Sequence, residues 1–404
     1  MTDSDHHVAP THSQERIKTV DILRGFALVG VVLANFQRFV SWDVPAGSLD
    51  AAAVWAVEHL ISGKFYRLFA FLFGLGFALQ MSRLEARGVR FVPLYLRRLG
   101  ILFIIGVLHG VLFLPSDILT LFAQFGVLLL IIRNVSNRSL VIIAVGCLLA
   151  SNIYYYVSTD FADFRQVAVE QEVPSEQQQL DEEVETERVR LEGSYGEVVA
   201  WNARHFWEWR SGIRSLLATL GEEFLMFLCG LYVGRRHLVE KSQEHRSFIR
   251  RAMLWSLGIG LIAYPIFQWL SSVDSHPVYG HLAVSVRVVM RDIQPAALAL
   301  FYAAALVLLL DREGWKQRLQ PLAQFGRMAL TNYMATSVIV ATLFLGYGFG
   351  LYGKVSVISG LGIAAIACAL MIVISNWWMR RHLFGPAEWV WRSLTYGKRQ
   401  PFRR

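Results

Sequence analysis

The pair of residues with the clearest chemical capacity is a histidine and an aspartate on the two sides of an expected hairpin. In YLRRLGILFIIGVLHGVLFLPSDILTLFAQFG, His109 lies eleven residues beyond Arg98. That is roughly 16 Å along a helix and past the middle of a bilayer. Pro115 and Ser116 form the turn, and Asp117 opens the next apolar block. Both side chains sit within one or two helical turns of that hairpin, so the carboxylate can reach the imidazole. A carboxylate orienting an imidazole is the arrangement a general base needs to take a proton from a hydroxyl or an amine. The structural alternative is an interior histidine satisfied by a hydrogen bond, with Asp117 capping a helix N-terminus.

A second group lies on the first apolar stretch, RIKTVDILRGFALVGVVLANFQRF, residues 16–39. At 100° per residue, Asn35 falls about 20° from Arg24 and Asp21 about 60° to the other side, giving one polar stripe on an apolar helix. An ionised group at the middle of a bilayer costs roughly 2.5–3.5 kcal/mol on insertion scales, so the stripe should face protein or a wet cavity. Glu222 and its neighbour Glu223 fall near the centre of a later block, where one of them can pair with a base such as Arg24 or carry a proton. Arg327, Asn332 and Tyr333 open the ninth block, and with Arg24, Arg97 and Arg98 they can line a basic mouth suited to a phosphorylated ligand. Positive anchoring at the membrane surface is the alternative, and for Arg97 and Arg98 it is the better one. Lys64 and Arg67 put positive charge at the far mouth, where snorkelling to headgroups explains them equally well.

The elements that must position these groups follow from composition. The chain has 404 residues, 54% hydrophobic and 17% charged, with a mean hydropathy of +0.41. An ordinary soluble domain is excluded, because the apolar residues gather in blocks of about twenty. Ten blocks can be read, at 20–41, 62–82, 96–114, 117–132, 139–157, 214–234, 252–272, 289–310, 324–346 and 355–379. The expected fold is therefore all-α: a polytopic membrane protein of about ten transmembrane helices in one bundle.

Lys and Arg concentrate in every second connection, as with Arg83, Arg87 and Arg90, then Arg235, Arg236 and Lys241, then Arg312, Lys316 and Arg318. The intervening connections are poor in basic residues or acidic, which puts both termini on the cytoplasmic side. The net charge of +8 is thus a topology signal, and no nucleic-acid partner is expected. Residues 1–15 read as a disordered polar tail without a cleavable signal peptide, and 16–404 as a single transmembrane domain. Within it, 158–213 is an acidic extracytoplasmic loop with an interfacial helix, and 380–404 is a basic, aromatic cytoplasmic tail. Cys147, Cys229 and Cys368 are far apart and inside apolar blocks, as small core hydrophobes are. No metal site is expected, and no P-loop, GxSxG, HExxH or dinucleotide-binding glycine pattern stands in a credible setting.

The stretches VDILRGFALVGVVLANFQRF, KFYRLFAFLFGLGFAL, YLRRLGILFIIGVLHG with the following DIL, GRMALTNY, and FGPAEWVWRSLTYGK resemble the YeiB-like bacterial membrane proteins over nearly the whole chain. That family looks related to a transmembrane acyltransferase superfamily, which includes integral-membrane sugar O-acyltransferases and heparan-α-glucosaminide N-acetyltransferase. The resemblance implies a multi-pass protein of the bacterial cytoplasmic membrane. It also implies transfer of an acyl group from a cytoplasmic acyl-CoA, bound as co-substrate and not as a permanent cofactor, to an acceptor on the far side. One position departs from the sugar O-acyltransferase pattern: at the interval from Arg24 where that branch has a catalytic His, this chain has Asn35. A neutral amide can orient a substrate but cannot take a proton near neutral pH, so if the family's chemistry is kept the base must be His109, and otherwise this branch binds or moves something instead.

On the enzyme reading, Arg24 and Arg327 hold the donor phosphates, His109 with Asp117 deprotonates the acceptor, and Asn35 positions the reacting groups. Asp21, Lys64, Glu222, Asn332 and Tyr333 complete the candidate ligand-binding set. The partners are membrane lipids and a small-molecule donor and acceptor. The alternative is a proton-coupled small-molecule transporter or flippase using the same polar core, with His109 or Glu222 handling the proton. A non-catalytic scaffold leaves so many ionisable groups within apolar spans unexplained.

Overall fold

In the computed structural model, the described residues are 18–41, 43–45, 47–88, 90–115, 117–160, 176–210, 219–272 and 280–404. The polar stretch at 1–15, and the parts of the acidic loop at 161–175 and 211–218, lie outside them. The described residues form helices and no strand longer than an isolated bridge between His382 and Arg403. In chain order they are α1 (Lys18–Gln37), α2 (Leu49–Ala56), α3 (Lys64–Ala86), α4 (Phe91–Leu112), α5 (Leu119–Ile131) and α6 (Asn137–Asp160). Next come α7 (Glu176–Glu192), α8 (Tyr195–Arg210), α9 (Leu225–Arg235), α10 (Arg246–Ser272) and α11 (Gly280–Leu310). The chain closes with α12 (Trp315–Arg318), α13 (Gln320–Arg327), α14 (Ala329–Phe344), α15 (Val357–Arg381) and α16 (Pro386–Tyr396). Five-residue π turns at Val57–Ile61 and Leu220–Phe224 precede α3 and α9.

Among the described residues, 7 helical segments are long and apolar enough to cross a membrane, and α5, α9 and α14 are shorter apolar helices. The chain is an all-α polytopic membrane protein. Three blocks differ from simple spans for local reasons. The fourth yields only the 13 residues of α5, because Asp117 and Ile118 remain in the hairpin. The sixth is interrupted by the π turn that carries Glu222 and Glu223. The ninth breaks at Met328 into α13 and α14. At that break, α13 lies so close to α1 that a side chain on Gly326 would overlap the Asp21 carbonyl, and one on Gly25 would overlap the Leu322 carbonyl.

Helix α3 meets α9 in the same manner. A Cβ on Gly74 would overlap the Phe227 carbonyl, and one on Gly230 the Phe71 carbonyl. Lipid supplies no hydrophobic drive between helices, so close backbone contact across small residues is what holds such pairs. Around this seam Phe73, Phe122, Phe125 and Phe227 pack with ring centroids 5.1–5.6 Å apart.

The arginine-rich connections lie at one end of the bundle, where α16 packs against α4. At the opposite end, α7 and α8 close over the helix tips. The Asn202 side-chain amide of α8 donates to the Val111 and Phe113 carbonyls, each at 3.2 Å, and so satisfies the end of α4. The Arg190 carbonyl of α7 accepts from Gly346 N at 2.8 Å, beyond the end of α14. Glu182 meets His205 at 3.3 Å between the two helices. On α8, Val198, Asn202, His205 and Phe206 are buried, so the aromatic stretch of the acidic loop packs on protein.

Candidate functional site

The α4–α5 hairpin brings His109 and Asp117 together. His109 Nδ1 lies 2.9 Å from Asp117 Oδ1, and both residues are buried, at 1% and 0% exposure. The other carboxylate oxygen, Oδ2, accepts from the Thr120 backbone N–H at 2.9 Å, so Asp117 also secures the start of α5. The Tyr333 hydroxyl of α14 donates to Oδ1 at 3.4 Å and accepts from Ile118 N at 3.4 Å. Its ring leans on the imidazole with centroids 4.8 Å apart.

With Asp117 as a carboxylate and His109 neutral, this contact calls for the proton on Nδ1 and leaves the Nε2 lone pair to accept. The group that meets that lone pair is Ser337 Oγ, at 2.8 Å and 1% exposure. Ser337 is a residue that sequence reasoning missed. The available signal was its position four residues after Tyr333, which places both on one face of α14. Beside the pair, the wholly buried Thr120 hydroxyl finds no hydrogen-bond partner among the described residues.

From the arginine-rich end, a cavity of about 300 Å³ runs between α1, α3, α4, α5, α14 and α16. Its inner wall includes Phe73, Phe122, Ile118 and Tyr333. Tyr333 therefore touches both the cavity and the buried His109–Asp117 pair. Six arginines line the walls (Arg24, Arg83, Arg87, Arg98, Arg327 and Arg392) against two carboxylates, Asp21 and Glu388. With low-dielectric walls, an excess of one sign focuses the field on ligands of the opposite charge.

Three of these arginines are held by contacts with neighbouring groups. Arg24 Nη1 bonds Asp21 Oδ1 at 3.1 Å, while Nη2 lies over the bare face of α3 at Gly76, 3.5 Å from where a Cβ would stand. Arg98 bonds the Gln80 side-chain carbonyl and stacks on Trp391 of α16 at 4.4 Å, and the Trp391 indole N–H donates to the Arg98 carbonyl at 3.0 Å. Arg327 donates to Gln324 Oε1 at 3.0 Å and to the Leu383 carbonyl at 3.2 Å. Glu388 Oε1 accepts from the backbone N–H groups of Leu330 at 2.7 Å and Thr331 at 3.1 Å, and so caps α14. Burial pushes the Glu388 carboxyl above its usual range, against the opposing pull of these hydrogen bonds.

The other candidate residues fall elsewhere. Asn35 is half-buried, makes no hydrogen bond to His109 and does not line the cavity. The Asn332 amide is turned into helix packing, donating to the Phe325 carbonyl at 3.2 Å and to Ser375 Oγ at 2.9 Å. Lys64 is buried at the opposite end of α3, where its ammonium donates to the Glu58 carbonyl at 2.6 Å. Arg97 lies against Gly397 and outside the cavity wall. The Glu222 side chain lies outside the described residues. Among those residues no cluster of three or more His, Cys, Asp or Glu side chains is arranged to hold a metal ion.

A family model described as "Protein of unknown function (DUF418)" matches residues 233–398. The "uncharacterized protein YxaH" of Bacillus subtilis (strain 168) is 30% identical over 98% of this chain and 98% of its own length. A 39.9 kDa protein from the amylase 3′ region of Bacillus acidopullulyticus is 28% identical over 97% of both chains. The "uncharacterized protein YeiB" of Escherichia coli (strain K12) is 28% identical over 94% of this chain and 96% of its own.

Proposed function

The chain belongs to the YeiB-like DUF418 family, and from that premise we propose that it is a transmembrane acyltransferase. An acyl-CoA enters from the cytoplasm, and its acyl group passes to a hydroxyl or amine acceptor at the other side of the bacterial cytoplasmic membrane. The observation that carries this reading is that one side chain, Tyr333, joins an arginine-walled cavity to a buried imidazole–carboxylate pair. The cavity suits a polyanionic carrier that keeps its phosphates at the arginine-rich end, because guanidinium groups bind phosphate through several charge-assisted hydrogen bonds. Arg24 and Arg327 are the donor-holding groups. The oriented imidazole suits removal of a proton from the attacking group, with Asp117 stabilising the imidazolium that forms.

The test is thermal stabilisation of the detergent-purified protein by CoA, acetyl-CoA and longer acyl-CoAs. A shift that grows from CoA to one acyl thioester is expected. No shift with any of them at millimolar concentration would remove the enzyme reading.

A second reading, a proton-coupled transporter for an organic anion, draws on the packing of α7 and α8 over the ends of α4 and α14, opposite the arginine-rich end. Uptake of an anion into proteoliposomes along a proton gradient, with no thiol released from acyl-CoA, would favour it.

A further inference from the structure

We propose that Ser337 is the nucleophile that carries the acyl group, so that the transfer proceeds by double displacement through an ester on this residue. The inference rests on the acyl-CoA reading above and specifies its covalent step. Asp117 Oδ1, His109 Nδ1, His109 Nε2 and Ser337 Oγ form one continuous relay with contacts of 2.9 and 2.8 Å. Each member has the neighbour its role requires: the base touches the nucleophile, and a third group orients the base.

The geometry also argues against ordinary helix chemistry for this serine. A serine within an apolar helix usually gives its hydroxyl hydrogen to the carbonyl four residues back. Thr336 does so, bonding the Asn332 carbonyl at 2.8 Å. Ser337 makes that contact only at its outer limit, with Oγ 3.5 Å from the Tyr333 carbonyl, and lies much closer, at 2.8 Å, to His109 Nε2. A 3.5 Å contact is at the limit of a hydrogen bond, so the proton is aimed at the imidazole. With Asp117 as a carboxylate holding the proton on Nδ1, Nε2 is the imidazole nitrogen left to receive it.

The first half-reaction forms the bond between Ser337 Oγ and the thioester carbonyl carbon. The serine proton moves to Nε2, the carbon–sulfur bond breaks, and Nε2 returns the proton to the departing sulfur, so that CoA leaves as a thiol. In the second half, the acceptor oxygen or nitrogen attacks the ester carbonyl and its proton passes to Nε2. The carbon–oxygen bond to Ser337 then breaks, and the serine hydroxyl recovers its proton. Tyr333, on the same face one turn earlier, is the side chain that must move for a thioester in the cavity to reach Oγ.

The full chain in detergent would be incubated with acetyl-CoA without acceptor, and intact-protein and peptide mass spectrometry would locate any adduct. One acetyl group on Ser337, released by hydroxylamine as the acetyl hydroxamate, is the expected result. Ser337→Ala should lose the adduct and slow thiol release with hydroxylamine as acceptor by roughly 10³-fold or more, while still being thermally stabilised by acetyl-CoA. Ser337→Cys, which keeps the side-chain shape, should trap the acyl group as a thioester. An adduct on His109, or wild-type thiol release from Ser337→Ala, would overturn the role of Ser337 and leave the acyl-CoA reading standing. Absence of any thermal shift with acetyl-CoA would overturn both.

Discussion

His109 and Ser337 are 228 positions apart in sequence, yet their side chains meet at 2.8 Å in the interior of the bundle. Asp117 stands on the far side of the imidazole at 2.9 Å. The direction of this relay is set by which imidazole nitrogen holds the proton, and that can be reversed with one substitution.

Asp117→Asn keeps an oxygen for the Thr120 N–H and the start of α5, but it presents an amide to His109. The imidazole then favours the tautomer with its proton on Nε2, which can no longer accept from Ser337. Thiol release from acetyl-CoA should fall roughly 10⁴-fold with folded yield and acetyl-CoA binding retained. Wild-type turnover in this variant would dissociate Asp117 from the chemistry.

Arg24→Gln and Arg327→Gln each remove one guanidinium from the cavity wall. A hydrogen bond to a charged group contributes about 1.5–3 kcal/mol, so each variant should raise the KM for an acyl-CoA about 10- to 100-fold. The kcat should hold, since the phosphates are gripped equally before and during the reaction. A KM for the dephosphorylated pantetheine thioester that shifts as much as that for acyl-CoA would rule out phosphate as the group recognised.

Gly74→Leu and Gly230→Leu drive side chains into the carbonyls across the α3–α9 seam. Overpacking of this kind costs about 1–3 kcal/mol, and detergent melting curves should move down accordingly. Gly100→Ala is the control, because a Cβ there meets no atom within 4 Å. Its melting temperature should stay level or rise slightly, as expected for alanine replacing a helical glycine.

Glu388 should make the docking of α16 pH-dependent. Burial holds its carboxyl above the usual range in the folded protein, so the folded state binds its proton more tightly than the unfolded chain does. The contribution to stability is therefore complete below the unfolded value and is lost as pH rises through the raised folded value. Melting temperature followed against pH should show this decline, and Glu388→Gln should flatten it. A wild-type profile unchanged by the substitution would assign the dependence to another group.

The membrane architecture was legible in the sequence because apolar blocks and their basic flanks are dictated by the bilayer. The approach of His109 to Asp117 was legible as well, since a tight turn leaves two residues near its tip little room to separate. Asn332 and Tyr333 show where such reading stops. They are adjacent, so they point about 100° apart on a helix, and only packing decides which enters the site. Tyr333 does, while Asn332 bonds Ser375 on α15. Ser337 carries no motif, and nothing local distinguishes it from Thr336, whose hydroxyl goes to the backbone. Helical angle alone puts Asn35 on a stripe with Arg24, but the two lie about 16 Å apart along the axis, and the cavity wall includes Arg24 without Asn35.

The contact between His109 and Ser337 also has a bearing on biosynthesis. A nascent polypeptide that has inserted only its first five helices already holds the imidazole and its carboxylate partner, but no hydroxyl for Nε2. If Ser337 is the nucleophile, the chain stays inert until α14 has threaded in beside them. Two coexpressed fragments, divided in the connection between α9 and α10, should each be silent and should regain thiol release only on reassociation. On the acyl-transfer proposal, reactivity belongs to the completed assembly, and half-made copies leave the cell's acyl donors untouched.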